Sequence, residues 1–255
     1  MIVRALLEAT RKLQRQLEEK DVDFKCLVFI RTDIYEHLVQ QTPDKGKDTA
    51  IRLDWDDPGV FQEIVRKRVN ASTDLQGSFR EVWPVLFESH IGTEDSFNYI
   101  LERTLMRPRD LLTFLHRATE VAVNRGHGKV SSNDIVQAEK SYSEDLVLVT
   151  AYEIGDTHPQ FADLLYAFQG VPRTVSLPEM EVVLGKVGVK IPDMQQAIEL
   201  LLWYGFLGTA GRTSDEDKYS YQVRYNLRHL LHPIEKGEAK FVVHPGFRTS
   251  LGIKG

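Results

Sequence analysis

The sequence has 255 residues, of which 42% are hydrophobic and 27% charged, and its formal net charge is −5. These values fit a globular protein of two domains or three small subdomains, and they exclude a global electrostatic attraction to nucleic acid. Cys26 is the only cysteine, which excludes a disulfide framework and a cysteine-based zinc site and fits a reducing cytoplasm. Because no apolar run approaches the length of a membrane span, we expect a cytoplasmic protein without membrane contact.

The first 57 residues predict a helix followed by a buried strand. Apolar residues at helical spacing indicate an amphipathic helix over residues 2–20. The continuous apolar run Cys26–Ile30 predicts a strand buried on both faces, as in a parallel sheet covered by helices. It ends in Arg31–Asp33, and Asp33 together with Glu36 predicts a capping box that begins the next helix. A short strand is expected over residues 49–55.

Residues 58–154 predict an all-α block. Asp56 or Asp57 is expected to cap a first helix that begins at Pro58. Ser131 or Ser132 is expected to cap the last helix of the block. The predicted helices after the first cover residues 79–88, 94–105, 108–125 and 132–152, and the last of these is the one that Ser131 or Ser132 would cap.

Residues 155–255 predict three helices, near 159–169, 176–186 and 193–204, followed by two strands. The strands are expected at Tyr219–Tyr225 and Phe241–Val243, where apolar or aromatic residues alternate or cluster. This order is that of a winged-helix domain. The domain carries 11 basic and 11 acidic residues, and its third helix contains neither Lys nor Arg. Since phosphate contacts dominate DNA affinity, we expect the domain to bind a partner or the preceding block rather than DNA.

The chain contains no phosphate-binding loop of the form G-x-x-x-x-G-K-[ST]. Its two Gly-Lys pairs fail this pattern, because Gly46-Lys47 precedes Asp48 and Gly128-Lys129 precedes Val130. Backbone N–H groups of that loop cradle the phosphates, so this chain by itself is not expected to bind and hydrolyse a nucleotide.

Three segments nevertheless resemble AAA+ and STAND-type P-loop ATPases. Leu27–Tyr35 looks like the sensor 1 strand of that group, Arg107–Leu112 looks like its sensor 2 helix, and Val130–Ala138 is similar to its last lid helix. The whole chain resembles the C-terminal part of bacterial STAND-like ATPases, beginning just after the Walker B strand. Sensor strand, helical lid and winged helix also follow one another in this order in the origin-recognition ATPases.

The resemblance implies a mostly α fold in three parts. Residues 1–57 would be the remnant of a parallel α/β P-loop core with the sensor 1 strand. Residues 58–154 would be an all-α lid, and residues 155–255 a winged-helix domain. The half that carries Walker A and Walker B would come from elsewhere in the same gene or from another chain.

The resemblance also implies nucleotide-sensing residues. At the end of the sensor 1 strand these are Arg31, Thr32 and Asp33, with Arg31 the best candidate because a guanidinium matches phosphate oxygens. The alternative is that Arg31 is simply solvated and Asp33 caps a helix. His244, after the last wing strand, resembles the histidine that contacts the ADP β-phosphate in STAND proteins; the alternative is a purely structural histidine.

The sensor 2 positions are Arg107, Pro108 and Arg109. An arginine here reaches the bound phosphate in the family, and the proline lies near the adenine. Arg107 stands where many relatives have a small residue, so the choice between the two arginines stays open. The alternative is a proline-started helix with two exposed arginines. Without the P-loop half, Arg31 and Arg109 are expected to face solvent.

These features predict a regulatory or oligomerisation segment of a STAND/AAA+-like ATPase. No cofactor is expected for the chain alone, and ATP or ADP with Mg²⁺ only when the P-loop half is supplied. The expected partner is that half or another protein, with homo-oligomerisation left open. Two alternatives from other classes are a DNA-associated winged-helix protein with a degenerate ATPase remnant and a protein-interaction scaffold. No catalytic residue and no metal site is predicted.

Overall fold

The computed structural model describes residues 2–31, 34–35, 51, 53 and 55–253, in two compact units that comprise residues 1–53 and 54–255. In the first unit, helix α1 (Ile2–Glu18) confirms the predicted N-terminal helix. The chain leaves this helix through Asp21, whose φ of 58° lies in the left-handed region and ends the helical path. The predictions for residues 36–50 lie outside the described residues.

The predicted buried strand Cys26–Ile30 is not formed. Residues 22–31 have no helix or strand, and the side chains of Leu27 and Phe29 are each 80% exposed. A strand of a parallel sheet exists only when neighbouring strands accept its backbone hydrogen bonds and helices cover both faces. The apolar run is present in the sequence, but in the described part of this unit it lacks that environment.

The second unit is mostly helical. Its helices in chain order are α2 (Pro58–Ser72), α3 (Phe79–Leu86), α4 (Ser96–Glu102), α5 (Pro108–Asn124), α6 (Ser132–Thr157), α7 (Leu177–Gly185), α8 (Met194–Trp203), α9 (Arg228–Glu235) and α10 (Pro245–Arg248). Two 3₁₀ stretches, Pro159–Phe161 and Leu164–Phe168, replace the single helix predicted over 159–169.

Local capping explains why the helices of residues 58–157 begin where the sequence predicts. The Asp57 side chain accepts a hydrogen bond of 2.8 Å from the Gly59 N–H at the start of α2. The Ser131 hydroxyl accepts from the Asp134 N–H at 3.2 Å, and the Asp134 carboxylate accepts from the Ser131 N–H at 3.0 Å. These reciprocal bonds satisfy N–H groups that a helix start leaves without partners.

Helices α5 and α6 form the centre of the second unit. The rings of Phe114 on α5 and Tyr142 on α6 stack with centroids 4.5 Å apart, and both side chains are fully buried. A short hairpin, β1 (His90–Ile91) with β2 (Glu94–Asp95), precedes α4. Buried side chains from 58–154 and from 155–253 belong to the same apolar cluster, so the two parts share one core.

The C-terminal part contains a three-stranded antiparallel sheet. Strands β3 (Thr174–Val175), β4 (Leu207–Thr209) and β5 (Phe241–Val243) lie in the order β3-β5-β4, so that β5 is central. In the register, Val242 lies opposite Thr174 on one side and opposite Gly208 on the other. Helices α7 and α8 connect β3 to β4 along the chain. The predicted strand at Phe241–Val243 is therefore confirmed.

The predicted strand Tyr219–Tyr225 is wrong. Ser220–Val223 forms a 3₁₀ turn, and Arg224 and Tyr225 have φ values of 50° and 60°. Two successive residues with left-handed φ cannot continue an extended strand. The segment between β4 and β5 holds instead 3₁₀ turns and helix α9.

Candidate functional site

The proposed sensor 2 arginines lie at the start of helix α5. Arg107 is the residue before the helix and is extended, with φ −116° and ψ 131°, as a residue before proline tends to be. Its carbonyl accepts hydrogen bonds from the N–H groups of Asp110 at 3.0 Å and Leu111 at 3.2 Å, which closes the first turn. The preceding Met106 has a φ of 49°, an uncommon left-handed conformation that turns the chain into the helix.

Arg107 and Arg109 share the carboxylate of Glu153 on helix α6. Arg107 Nη1 lies 3.1 Å from Glu153 Oε2, and Arg109 Nη2 lies 3.1 Å from Glu153 Oε1. Each carboxylate oxygen therefore has its own guanidinium. The sequence leaves open which arginine belongs to the site, and the structure brings both together around one acid.

The three side chains differ in their contact with solvent. The exposed fraction is 10% for Glu153, 28% for Arg107 and 61% for Arg109. The side chain of Arg109 therefore faces solvent as expected, whereas that of Arg107 is too far buried for the alternative of two exposed arginines. Since Arg109 keeps most of its surface in water while it holds Glu153, its guanidinium is the group of this cluster that an outside anion meets first.

Asp110 adds a second carboxyl group to the cluster. Its side chain is buried, and Oδ2 has no hydrogen-bond partner among the described residues, whereas Oδ1 lies 3.7 Å from Arg109 Nε. Burial raises the pKa of Asp110 above its usual range, against the opposing effect of Arg107 and Arg109. For Arg107, burial by itself would lower the pKa, but the charges of Glu153 and Asp110 raise it overall. The cluster therefore combines two cations with two acids, one of them incompletely satisfied.

His244 is enclosed by protein. Its exposed fraction is 0%; Nδ1 accepts a hydrogen bond from the Gly246 N–H at 3.2 Å, and Nε2 lies 3.1 Å from the Tyr221 hydroxyl. Since Nδ1 is an acceptor, we assign the ring proton to Nε2. Burial lowers the pKa of His244 to about 3, so the ring is neutral near neutral pH. Contact of this ring with a phosphate would require Tyr221 or Gly246 to move.

The residues predicted to form the sensor 1 site belong to the first unit. Arg31 is exposed, and its carbonyl accepts a hydrogen bond from the Tyr35 N–H at 3.0 Å. Thr32 and Asp33 lie outside the described residues. The sensor 1 assignment therefore stays a prediction.

Glu153 is the residue that sequence reasoning missed. The signal was present, because Leu146, Thr150 and Glu153 follow one another at helical spacing and all three are buried. An acid within a buried helical stripe requires a cationic partner. What the sequence could not indicate is the partner, because Arg107 lies 46 residues and Arg109 lies 44 residues away.

A surface cavity of about 570 Å³ lies elsewhere in the second unit, between α2 and the start of α3. It is lined by Gly59, Glu63, Arg66, Asn70 and Ser78 among others. Within it, Glu63 binds Arg66 through two hydrogen bonds of 2.6 and 2.7 Å, so both groups are already satisfied. Among the side chains that the structure describes, no group of three or more His, Cys, Asp or Glu residues has the arrangement of a metal site.

Comparison with known proteins finds a family model that matches part of the second unit. Residues 60–149 match the FunZ-associated C-terminal helical domain, FunZ_C. The matched region contains Arg107, Pro108 and Arg109, while Glu153 and His244 follow it. No solved structure matches the chain significantly.

Two curated proteins are similar to the chain. The transposon gamma-delta 80.3 kDa protein of Escherichia coli (strain K12) is 25% identical over 258 residues, which cover 93% of this chain and 36% of that protein. Allergen Alt a 2 of Alternaria alternata is 29% identical over 119 residues, which cover 45% of this chain and 62% of the allergen. The chain thus spans less than two thirds of the length of either relative. None of the helices that the structure describes is long and apolar enough to cross a membrane.

Proposed function

We propose that this chain is the regulatory or oligomerisation segment of a STAND/AAA+-like ATPase, which responds to nucleotide together with a P-loop half. The observation that carries the proposal is the arginine pair at the start of α5. Arg107 and Arg109 are held side by side by Glu153, and Arg109 remains 61% exposed. Guanidinium groups bind phosphate oxygens through parallel hydrogen bonds, so this pair suits a nucleotide's terminal phosphates.

The order of elements supports the winged-helix part of the proposal. Strand β3, helices α7 and α8, strand β4 and strand β5 follow in sequence, and β5 lies between the other two strands. A wing would then correspond to the segment between β4 and β5, although it contains α9 instead of a long hairpin. The all-α lid would correspond to α2–α6.

The first unit supports a role as part of a larger core. Leu27 and Phe29 are 80% exposed, and Ile51 and Leu53 are 88% and 62% exposed. A contiguous patch of such side chains would mark a surface that another chain or segment covers. In the proposal, the P-loop half covers Leu27 and Phe29, and residues 26–30 then complete a parallel sheet as a strand.

The chemistry of the site fits the phosphates of ATP or ADP, and the chain's own residues would contribute only contacts to them. Arg109, and Arg107 behind it, would orient and neutralise the terminal phosphate. Mg²⁺ would be held by the P-loop half in this proposal. Hydrolysis would need groups from that half, with the described arginines stabilising charge that develops on the transferred phosphoryl group.

The experiment is to measure phosphate release by the chain alone and after mixing with the P-loop half. We expect no turnover by the chain alone, and turnover in the mixture that falls about tenfold or more in Arg109→Ala, because charge-assisted hydrogen bonds are lost. Arg117→Ala is the matched control, since Arg117 also lies on α5 and pairs with Asp145 on α6 at 2.8 Å. Turnover by the chain alone, or equal losses in both variants, would contradict the proposal.

A DNA-associated role is the second candidate, favoured by the strand and helix order of the C-terminal part. The helix that would read DNA, α8, exposes Gln195 and Gln196, and Gln195 donates a hydrogen bond of 2.9 Å to Glu199. With no Lys or Arg on α8, phosphate anchoring would have to come from other elements. A mobility shift with duplex DNA at low and at moderate salt separates this candidate from the ATPase proposal.

A further inference from the structure

The carboxylate of Glu153 binds both Arg107 and Arg109. We propose that its carboxylate is a displaceable internal ligand, which holds Arg107 and Arg109 until a phosphoryl group takes its place at Arg109. The inference rests on the proposed function for the choice of a nucleotide as the natural source of that group. The exchange of the Glu153 carboxylate for a phosphoryl group depends only on Arg107, Arg109, Asp110 and Glu153, and not on the identity of the nucleotide.

The geometry of the cluster suits an exchange of one anion for another. Glu153 presents one oxygen to each guanidinium, at 3.1 Å in both cases. A phosphoryl group presents three oxygens and more negative charge, so it competes for the same donors with stronger hydrogen bonds. It can approach from solvent, because Arg109 is 61% exposed whereas Glu153 is 10% exposed.

Asp110 would keep Arg109 in position during the exchange. Its Oδ1 lies 3.7 Å from Arg109 Nε, whereas Glu153 is bound through Nη2 of the same guanidinium. Its other oxygen, Oδ2, is buried and has no hydrogen-bond partner within the described chain. The arginine that loses Glu153 therefore still has the Asp110 carboxyl group beside its Nε.

Displacement of Glu153 would also affect residues outside the cluster. The Glu153 backbone carbonyl accepts a hydrogen bond of 3.1 Å from the Tyr204 hydroxyl, and Tyr204 directly follows helix α8. The neighbouring Trp203 lies with its ring centroid 5.0 Å from that of Tyr225. A shift of Glu153 is thus linked by direct contacts to the C-terminal part, and Trp203 provides a fluorescent reporter of it.

The test is calorimetric titration of the full chain with inorganic triphosphate. Glu153→Gln keeps the size of the side chain but removes its charge, so we expect it to tighten triphosphate binding about tenfold, the effect of one charge-assisted hydrogen bond set free. Asp145→Asn is the matched control, because it removes the charge of an acid that pairs with an arginine, Arg117, between the same two helices. We expect no gain in this control.

Arg109→Ala tests the proposal even if Glu153→Gln does not fold. Its side chain is mostly exposed, and we expect its loss to abolish triphosphate binding and the accompanying change of Trp203 fluorescence, while Trp203→Phe removes only the fluorescence change. No gain in a folded Glu153→Gln protein, an equal gain in Asp145→Asn, or unchanged binding in Arg109→Ala would each overturn the proposal.

Two competition experiments distinguish a nucleotide from DNA as the source of the phosphoryl group. ATP should compete with triphosphate, and a short DNA duplex should not; competition by the duplex alone would overturn the assignment to a nucleotide.

Failure of this inference can be distinguished from failure of the proposed function. If Glu153→Gln tightens triphosphate binding but the mixture with the P-loop half shows no turnover, the anion site stands and the ATPase assignment falls. If turnover depends on Arg109 but Glu153→Gln does not change triphosphate binding, the ATPase assignment stands and the displacement of Glu153 falls.

Discussion

The Tyr204 hydroxyl donates a hydrogen bond of 3.1 Å to the backbone carbonyl of Glu153. The two residues are 51 positions apart, and the bond joins the end of α8 to the last turns of α6 at the level of the arginine pair. Because Tyr204 is buried, this contact is part of how the C-terminal part is attached to the helical block.

We therefore expect Tyr204→Phe to lower the free energy of unfolding by about 1 kcal/mol, the net value of a buried hydrogen bond. Urea unfolding monitored by circular dichroism measures the change. Tyr166→Phe is the control, since Tyr166 is 46% exposed, and it should leave the midpoint unchanged. Equal effects in the two variants would show that the bond to Glu153 contributes nothing.

The arginine pair predicts unequal losses of stability for two neighbouring substitutions. Arg107→Ala removes the less exposed partner of Glu153, so we expect the free energy of unfolding to fall by about 1–3 kcal/mol. Arg109→Ala removes a mostly exposed partner of the same acid and should cost less than about 0.5 kcal/mol. Chemical denaturation of both variants measures the two losses in the free energy of unfolding. Losses of the same size would show that the difference in burial between Arg107 and Arg109 does not affect stability.

His244 predicts a dependence of stability on pH. Its folded pKa of about 3 lies below the ordinary value of 6.5, so between these values the unfolded chain binds a proton that the folded chain does not. Stability should therefore fall as pH decreases from about 6.5 to about 3, by at most about 1.4 kcal/mol per pH unit from this residue.

His244→Asn tests this origin of the pH dependence. An asparagine oxygen can accept from the Gly246 N–H as Nδ1 does, but it does not titrate in this range. We expect the variant to show a shallower loss of stability between pH 6.5 and 4 in denaturant titrations. A slope identical to that of the unchanged protein would mean that other groups cause the pH dependence.

Gly246 predicts a steric effect at the start of α10. A Cβ at this position would lie 2.2 Å from the Arg103 carbonyl oxygen and 2.9 Å from Leu146 Cδ2. Gly246→Ala should therefore cost about 1–3 kcal/mol of stability through forced displacement of a packed backbone. Gly128→Ala, where nothing lies within 4 Å of the added carbon, should have little effect on thermal unfolding, and a similar loss in both would rule out the steric cause.

Most helices of residues 58–157 can be predicted from the sequence, because their signals are local. The Asp57 cap, the Pro108 start and the reciprocal Ser131–Asp134 bonds each involve residues within a few positions of one another. The apolar residues of β5 likewise indicated a strand, and the structure confirms it.

Features that depend on partners distant in the sequence could not be predicted from local patterns. The run Cys26–Ile30 reads as a buried strand, yet a strand needs neighbours that the sequence cannot guarantee, and Leu27 and Phe29 are exposed. The alternation in Tyr219–Tyr225 gave way to a 3₁₀ turn because left-handed backbone at Arg224 and Tyr225 ends extension. The shared acid of the arginine pair, Glu153, became visible only when α5 and α6 packed together, since helix packing brings side chains more than 40 positions apart within hydrogen-bonding distance.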